Sequence, residues 1–184
     1  MPKPGWHDEV LRFWFEELKP EDWFVAKPET DQLVRDRFGG LLDELKASPP
    51  PEIETDPRAA LAAVIVFDQF PRNIHRRQPD AFSTDDLALR IARDATERDF
   101  DAGMTTVEKQ FLYMPFQHAE VMADQERSVD LFKSLGNEEA LRYALEHRDI
   151  IARFGRFPHR NRVLGRVTTD AETEFLQEHQ GFGQ

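Results

Sequence analysis

The sequence predicts an all-α protein built from antiparallel helix pairs, and three observations lead to this class. Apolar residues recur at intervals of three and four over most of the chain, and residues typical of helix caps stand before these stretches. No segment alternates in polarity for long enough to predict a strand. We therefore expect about seven to nine helices in a single domain that covers residues 1–184.

The first part of the chain predicts two helices and a proline-rich connection. The stretch WHDEVLRFWFEEL, residues 6–18, has a wide apolar face and stops before Pro20. A second helix is expected from Pro28 to about residue 46, because proline suits the first helical turn. The residues ASPPPEIETDP then form a loop, in which Asp56 followed by Pro57 is typical of a helix start.

The third helix, PRAALAAVIVFDQF, is apolar on nearly all sides, as expected for a central helix. Asp68 lies on its apolar stripe, which predicts a buried acid. Phe70 precedes Pro71, and a residue before proline is disfavoured in the helical conformation, so the helix should end there. Arg72 and Asn73 would then lie in the loop that follows.

Five further helices are expected in the second half of the chain. Pro115 should kink the second of them, which is expected to extend to about residue 125. Gly155 and Pro158 should end the fourth, after residue 154. Four of the starts are marked by Ser83 or Thr84, by the capping box of Thr105 and Glu108, by Asn137, and by the capping box of Thr169 and Glu172.

Composition and charge narrow the classes of function. The chain carries 35 acidic and 24 basic residues, a net charge of −11, which disfavours duplex nucleic acid and anionic membranes as partners. It has no cysteine, no stretch with the features of a secretory signal and no apolar run long enough to cross a bilayer. These features favour a cytoplasmic protein and leave its oligomeric state open.

Positive charge is concentrated in residues 147–166, HRDIIARFGRFPHRNRVLGR, which contain six arginines, two histidines and a single acid. Arginine suits bidentate capture of carboxylate or phosphate, so the segment predicts a surface for an anionic small molecule or an acidic peptide. The structural alternative is that these arginines bond helix ends or pair with acids elsewhere. The predicted ligand-binding residues are Arg72, Asn73, Arg153, Arg156, His159, Arg160, Asn161 and Arg162.

Three polar residues, Asp68, His118 and His147, each interrupt an otherwise apolar helix stripe. Buried polar groups need partners, so we expect the three to meet one another or the arginines. They are candidate catalytic residues, with a histidine as acid or base and Asp68 orienting it. The structural alternative is that each locks neighbouring helices together in the core, because structural ion pairs use the same groups.

No metal site and no cofactor are predicted. The two side chains of His118-x-Glu120, like those of His147-x-Asp149, lie about 200° apart around a helix and cannot face one ion. A site of His118, His147 and Asp68 would need their helices to converge, and nearby arginines would oppose a cation. The sequence also has no G-x-S-x-G, no glycine-rich phosphate loop and no cysteine nucleophile.

Three blocks of the sequence resemble a known family. They are LAAVIVFDQFPRNIHRRQPDAF, then FLYMPFQHAE followed by Gln125, and FGRFPHRNRVLGRVTTDAETEFL. Together they resemble the bacterial family called domain of unknown function 924, over residues 11–176. The resemblance implies a tetratricopeptide-like right-handed superhelix and no established activity. Ala119 departs from the family pattern, in which a serine is expected after the histidine.

Three hypotheses about function follow from these residues. The first is a helical-repeat-like binding protein whose arginines face an anionic ligand. The second is a hydrolytic or phosphoryl-handling enzyme that uses His118 or His147 with Asp68 and the arginines. The third is a scaffold in which internal acids satisfy the arginines and no cleft exists. The second requires the catalytic candidates to meet beside one open cleft.

Overall fold

The computed structural model describes residues 2–179 and 181, and its regular structure is helical. This part of the chain contains no strand and forms nine helices, when α4 and α5 below are counted as one helix because a π-helical turn joins them. The all-α class is confirmed. The helices are α1 (Trp6–Arg12), α2 (Pro20–Phe24), α3 (Pro28–Ala47), α4 (Pro57–Val64), α5 (Phe70–Ile74), α6 (Asp85–Glu97), α7 (Thr106–His118), α8 (Met122–Ser134), α9 (Glu138–Phe154) and α10 (Asp170–Glu178).

Helices that follow one another in the chain pack side by side. α6 packs on α7, α7 on α8 and α8 on α9, and the short connections between them give the antiparallel pairs that the sequence predicts. In the first half, α1 packs on α4 and α3 packs on α5. None of the helices in the described residues is both long and apolar enough to cross a membrane.

α4 lies at the centre of this packing, in contact with α1, α6 and α7. Its residues 59–64 are all buried, and its alanines let neighbouring helices approach closely. Asp56 caps its start by accepting the N–H of Arg58, and Pro57 occupies the first turn, both as predicted. Side-chain caps by Thr105, Asn137 and Thr169 on α7, α9 and α10 are confirmed in the same way.

The helix that begins with α4 continues past Pro71. A π-helical turn (Ile65–Gln69) follows α4 and leads directly into α5. The wider turn places Pro71 in the first turn of α5, where a missing N–H group is tolerated. The carbonyl of Phe67, four residues before this proline, accepts the Thr84 hydroxyl instead, at 2.5 Å.

The prediction that the helix ends at Phe70 is therefore wrong. Arg72 and Asn73 do not lie in a loop but on α5, and both are buried. Local sequence could not reveal this, because the bond that compensates for Pro71 comes from Thr84, which lies 17 residues after the carbonyl that it reaches.

The boundary between α7 and α8 also differs from the prediction of one kinked helix that extends to about residue 125. α7 contains Pro115 but ends at His118. The side chain of Gln125 explains the break, since its Nε2 donates to the carbonyl oxygens of Gln117 at 2.7 Å and Ala119 at 2.8 Å. These bonds satisfy the carbonyl groups that a helix end leaves unpaired, and they fix the position of His118.

Aromatic side chains fill the core between α1, α3 and α5. The ring of Phe38 lies 4.9 Å from those of Phe13 and Phe70, between centroids. The ring of Trp14 lies 5.7 Å from Phe70 and 5.5 Å from Phe111. This packing is of the edge and tilted kinds that aromatic pairs prefer, and it packs α5 against α3 and against the turn that follows α1.

Candidate functional site

Two of the predicted catalytic residues form a hydrogen-bonded pair. Asp68 lies fully buried in the π turn after α4, and His118 is the last residue of α7. His118 Nδ1 lies 2.8 Å from Asp68 Oδ1, and Gln69 Nε2 donates to the other carboxylate oxygen at 2.5 Å. Both oxygens of Asp68 are engaged, so the carboxylate holds the imidazole ring in one orientation.

The surroundings keep Asp68 ionised and His118 neutral. Burial raises the pKa of Asp68, but His118 and Arg72 beside it lower that pKa by more, and the net result lies below the usual value. Burial lowers the pKa of His118, against the opposing influence of Asp68. A carboxylate at Nδ1 requires a proton on that nitrogen, so the neutral ring has its lone pair on Nε2. His118 is therefore in the state of a general base at neutral pH.

His118 lines a cleft formed by the start of α6, the end of α7 and the segment after α9. The cleft has a volume of about 290 Å³. Its polar lining consists of Ser83, Asp85, Asp86, His118, Glu120 and Arg160. The structure thus brings His118 and Arg160 into one open site, with Asp68 bonded to the ring from the interior.

Asp85, the first residue of α6, binds two of the predicted arginines. Arg72 donates to its two carboxylate oxygens at 2.8 and 3.0 Å, and Arg160 Nη1 lies 3.3 Å from one of them. Arg72 also donates to the backbone carbonyl of Asp68. These bonds join α5, α6 and the segment after α9 directly beside the Asp68–His118 pair.

Arg160 is a buried cation at the edge of the cleft. Its guanidinium lies between the rings of Phe82 and Phe157, 4.5 and 4.8 Å from their centroids, and it donates to the carbonyl of His118 at 3.1 Å. Burial, followed by the charge of Arg72, lowers the pKa of Arg160 to about 10. Arg160 is therefore still cationic at neutral pH.

His147 lies next to this site but does not line the cleft. Its Nδ1 lies 2.7 Å from the Tyr143 carbonyl, and its ring centroid is 6.3 Å from that of His118 and 5.5 Å from that of Phe157. Burial lowers the pKa of His147 well below its usual value. The structure places His147 in the packing around His118, where it supports the ring from a neighbouring helix.

A second network engages Arg156 and Asn161 through Glu172. Arg156 donates to the two carboxylate oxygens of Glu172 at 2.7 and 2.8 Å, and Asn161 Nδ2 donates to one of them at 3.1 Å. Asn161 Oδ1 accepts in turn from Arg166 at 2.9 Å. Asn161 is completely buried. These bonds tie α10 to the segment after α9.

Arg166 connects the second network to the cleft. It holds both carboxylate oxygens of Glu120 at 2.7 and 3.0 Å, and the backbone N–H of Phe157 donates to the same carboxylate at 2.7 Å. Burial raises the pKa of Glu120, but the bond from Arg166 and that from Phe157 outweigh it and lower the pKa below the usual value. The Glu120 carboxylate that lines the cleft is therefore paired with Arg166.

The remaining predicted residues lie apart from the cleft. Asn73 donates to Asp31 on α3 at 2.8 Å, and His159 is half-buried, with its ring 5.5 Å from that of Phe157. Arg162 is exposed. Arg153 is also exposed, lies over the ring of Phe154 at 4.7 Å, and lines a separate cavity of about 560 Å³ together with Phe154, Arg156, Thr169, Ala171 and Glu172.

Sequence reasoning missed the acids that organise the site. The sequence marks Glu172 as part of a capping box and Glu120 as a neighbour of His118, but it does not mark either of them or Asp85 as a partner of an arginine. The arginines that they bind lie 13 to 75 positions away. The signal that exists is the excess of arginine in residues 147–166, which requires buried acidic partners somewhere. Across residues 2–179 and 181, no group of three histidine, cysteine or acidic side chains is placed to hold a metal ion.

The chain is similar to a described family and to a solved structure of unknown function. Residues 10–180 match the model of the family described as bacterial protein of unknown function, DUF924. The chain belongs to the DUF924 family. The solved structure is a protein of unknown function from Agrobacterium tumefaciens, 36% identical, with a TM-score of 0.90 over 95% of this chain and 98% of that one. The comparison with curated proteins gives no match.

This membership confirms the resemblance inferred from the sequence blocks. The matched region of the DUF924 protein contains Asp68, His118 and every residue named above for the cleft and the two networks. The description of the family and that of the Agrobacterium tumefaciens protein name no activity.

Proposed function

We propose that this DUF924 protein is an enzyme of hydrolytic type, in which His118 is the general base and Asp68 orients it. One observation carries the proposal. A buried carboxylate holds one nitrogen of a neutral imidazole at 2.8 Å, and the same histidine lines an open cleft with a buried arginine. This arrangement suits a histidine that accepts a proton from a bound water molecule.

The proposed reaction begins with a water molecule in the cleft. His118 Nε2 removes a proton from the water as its oxygen attacks an acyl or phosphoryl centre of the substrate. Asp68 stabilises the imidazolium that forms. Arg160, which lines the same cleft, stabilises the negative charge that develops on the substrate oxygen. The imidazolium then gives its proton to the leaving group as the bond between that group and the acyl or phosphoryl centre breaks.

An activity screen tests this proposal. The purified protein is incubated with chromogenic carboxylic esters, amides and phosphate esters, and kcat/KM is measured for any substrate that turns over. We expect His118→Asn to reduce kcat/KM by about 10² to 10⁴. Asp68→Asn should also reduce it, because the ring loses both its orientation and the partner of its imidazolium.

The pH dependence supplies an independent check. Because the pKa of His118 lies below 6.5, kcat/KM should rise with pH through the acidic range and reach a plateau by neutral pH. His7→Asn, on α1 and away from the cleft lining, is the matched control and should leave kcat/KM unchanged. Equal activity of the His118→Asn variant and the wild type on every hydrolysed substrate would rule out this role for His118.

Anion binding by the arginines is a second candidate function, and the separate cavity at Arg153 favours it. Arg153 is exposed there, whereas the guanidinium of Arg156 in the same cavity already holds Glu172. The test is a thermal shift with phosphate and dicarboxylates, in which Arg153→Ala should abolish any increase in melting temperature. Arg90→Ala, exposed on α6 and outside the cavity lining, is the control.

The scaffold hypothesis is favoured by the internal pairing of the arginines and disfavoured by the cleft at His118. It would regain support if neither the hydrolysis screen nor the thermal-shift panel gave a positive result.

We also propose that the protein acts in the cytoplasm, because its composition has no cysteine. Cell fractionation tests that location.

A further inference from the structure

The positive charges beside the cleft are already paired. Arg72 is bound through two bonds to Asp85, and Arg160 shares the same carboxylate. Glu120, which also lines the cleft, is bound through two bonds by Arg166. An anionic ligand in this cleft would have to compete with internal carboxylates that are held at hydrogen-bond distance.

Most of the hydrogen-bonding capacity that remains on the exposed side chains of the cleft belongs to acceptors, whereas the Nε–H of Arg160, which makes no hydrogen bond within the described residues, is buried. Nε2 of the neutral His118 ring is an acceptor, as argued above. The Ser83 hydroxyl donates its proton to the Asp80 carbonyl at 2.9 Å, which leaves the lone pairs of its oxygen. Asp86 is exposed, and within the described residues its carboxylate takes part in no ion pair. A ligand that complements these groups must donate hydrogen bonds.

The charge balance of the site points the same way. Four carboxylates, those of Asp68, Asp85, Asp86 and Glu120, lie in or beside the cleft with three guanidinium groups, those of Arg72, Arg160 and Arg166. Because His118 is neutral, one negative charge of this group is in excess, and Asp86 is its carboxylate without an ion-pair partner in the described part of the chain. A bound cation would neutralise it. A cation would also disfavour protonation of His118, and so would preserve the general base.

We infer that the substrate of the cleft carries an ammonium or guanidinium group, and that Asp86 binds this group while His118 faces the bond to be hydrolysed. The inference rests on the proposed function of the same cleft and names its substrate class. Asp86 lies one residue after Asp85, in the first turn of α6, so a rigid helix end carries both the internal carboxylate and the one offered to the ligand. Substrates of this class include amides and esters of basic amino acids and acylated diamines.

Calorimetric titration of the whole protein tests the inference with two probes that share a five-carbon skeleton, 1,5-diaminopentane and glutarate. The ionic strength is held constant because exposed charges are screened by salt. We expect the diamine to bind and Asp86→Asn to weaken its binding about five-fold, the effect of one partly exposed charge pair. Asp94→Asn is the matched control, since Asp94 is exposed on the same helix and outside the cleft lining, and it should bind the diamine as the wild type does.

Two results would overturn the inference. One is equal weakening of diamine binding by Asp86→Asn and Asp94→Asn, which would indicate a general effect of net charge. The other is glutarate binding that Asp86→Asn strengthens and Arg153→Ala leaves unchanged, which would place an anion in the cleft. Glutarate binding that Arg153→Ala abolishes belongs to the separate cavity, and the inference then depends on the diamine result alone.

The inference and the proposed function fail in different ways. Diamine binding that His118→Asn preserves, in a protein that hydrolyses none of the chromogenic substrates, would support the cation site and count against the enzyme. Hydrolysis that depends on His118 but is confined to anionic substrates would support the general base and eliminate the cation site. Hydrolysis of an arginine or lysine amide, with a KM that Asp86→Asn raises and a kcat that it leaves near the wild-type value, would support both.

Discussion

Asp68 stabilises the fold through an ionised carboxylate in a fully buried position. Such a group is stable only because His118, Gln69 and Arg72 surround it with donors. Removal of its charge leaves those donors without their partner in the interior, where unsatisfied polar groups cost the most. The same carboxylate therefore serves the stability of the helix packing and the orientation of the proposed base.

We expect Asp68→Asn to lower the free energy of unfolding by about 2–4 kcal/mol, from the loss of a buried, hydrogen-bonded charge. Urea denaturation at pH 7 measures the change. Asp149→Asn is the matched control, because Asp149 is exposed and, among the described residues, forms its ion pair with its neighbour Arg148. That substitution should change stability by less than about 0.5 kcal/mol. Similar losses in both variants would contradict the role assigned to Asp68.

His147 should make stability depend on pH in the mildly acidic range. Its pKa in the folded protein is lowered well below 6.5 by burial, whereas an unfolded chain takes up the proton near 6.5. The unfolded state therefore binds more protons, and the free energy of unfolding must fall as pH decreases below about 6.5. We expect His147→Gln to have a shallower slope between pH 7.5 and 5 in urea denaturation. An unchanged slope would show that His147 does not carry this dependence.

At the scale of the elements, the proposed site depends on the position of one turn, one helix end and one helix start. The π turn after α4 carries Asp68, α7 ends at His118, and α6 starts at Asp85 beside Asp86. Each end is fixed by a side chain from elsewhere in the chain, as in the bond from Thr84 to the Phe67 carbonyl. A change in any of these ends would move a group of the cleft without touching the cleft itself.

A substitution at Gln125 tests whether the proposed site depends on the end of α7. We expect Gln125→Leu to destabilise the protein by about 2–4 kcal/mol, because it leaves the carbonyls at the end of α7 without their donor. It should also reduce any activity that depends on His118, since His118 lies at that helix end. Thermal unfolding and kcat/KM are measured together, with Gln177→Leu on the exposed surface of α10 as the control. Loss of stability without loss of activity would contradict the link to His118.

At the scale of the molecule, the arginines of residues 147–166 connect α10 and the segment after α9 to the rest of the fold. Arg156 reaches Glu172, Arg166 reaches Glu120, and Arg160 reaches Asp85, across separations of 16, 46 and 75 residues. These pairs explain how a strongly acidic chain concentrates its positive charge in one segment. The segment is placed among carboxylates that come from three other parts of the chain.

This arrangement predicts the response of the whole molecule to acid. The hydrogen bond from Arg156 is the largest influence that lowers the pKa of Glu172, to about 2 from an ordinary 4.5. Its stabilising contribution is present above pH 4.5 and is lost as the pH falls towards 2. We expect Glu172→Gln to be less stable than the wild type at pH 7 and nearly equal to it at pH 2, as measured by unfolding followed by circular dichroism. Glu174→Gln, exposed on the same helix, should show no such convergence.

The sequence by itself determined the helical class and most helix starts. A cap such as that of Thr105 or Thr169 uses a side chain and an N–H group three residues apart. The helix start can therefore be predicted from the local sequence, before the fold is known. The sequence also indicated that Asp68, His118 and His147 would need partners, because each interrupts an apolar stripe. The hydrogen bond between Asp68 and His118 gives two of these residues a partner.

Only the tertiary structure decided which charges are paired and which face the cleft. Bonds such as Arg160 to Asp85 join residues that are distant in the chain, and any of the 35 acids could have been the partner. The continuation of the helix through Pro71 was decided in the same way, by a distant hydroxyl group. Long-range contacts depend on how the helices pack, and the spacing of residues within one segment does not show which distant residues that segment will contact. For this reason the arginines that suggest an anion site in the sequence are mostly paired with acids in the folded chain. The cleft receives only Arg160 from residues 147–166, and its exposed carboxylate without an ion pair among the described residues is Asp86.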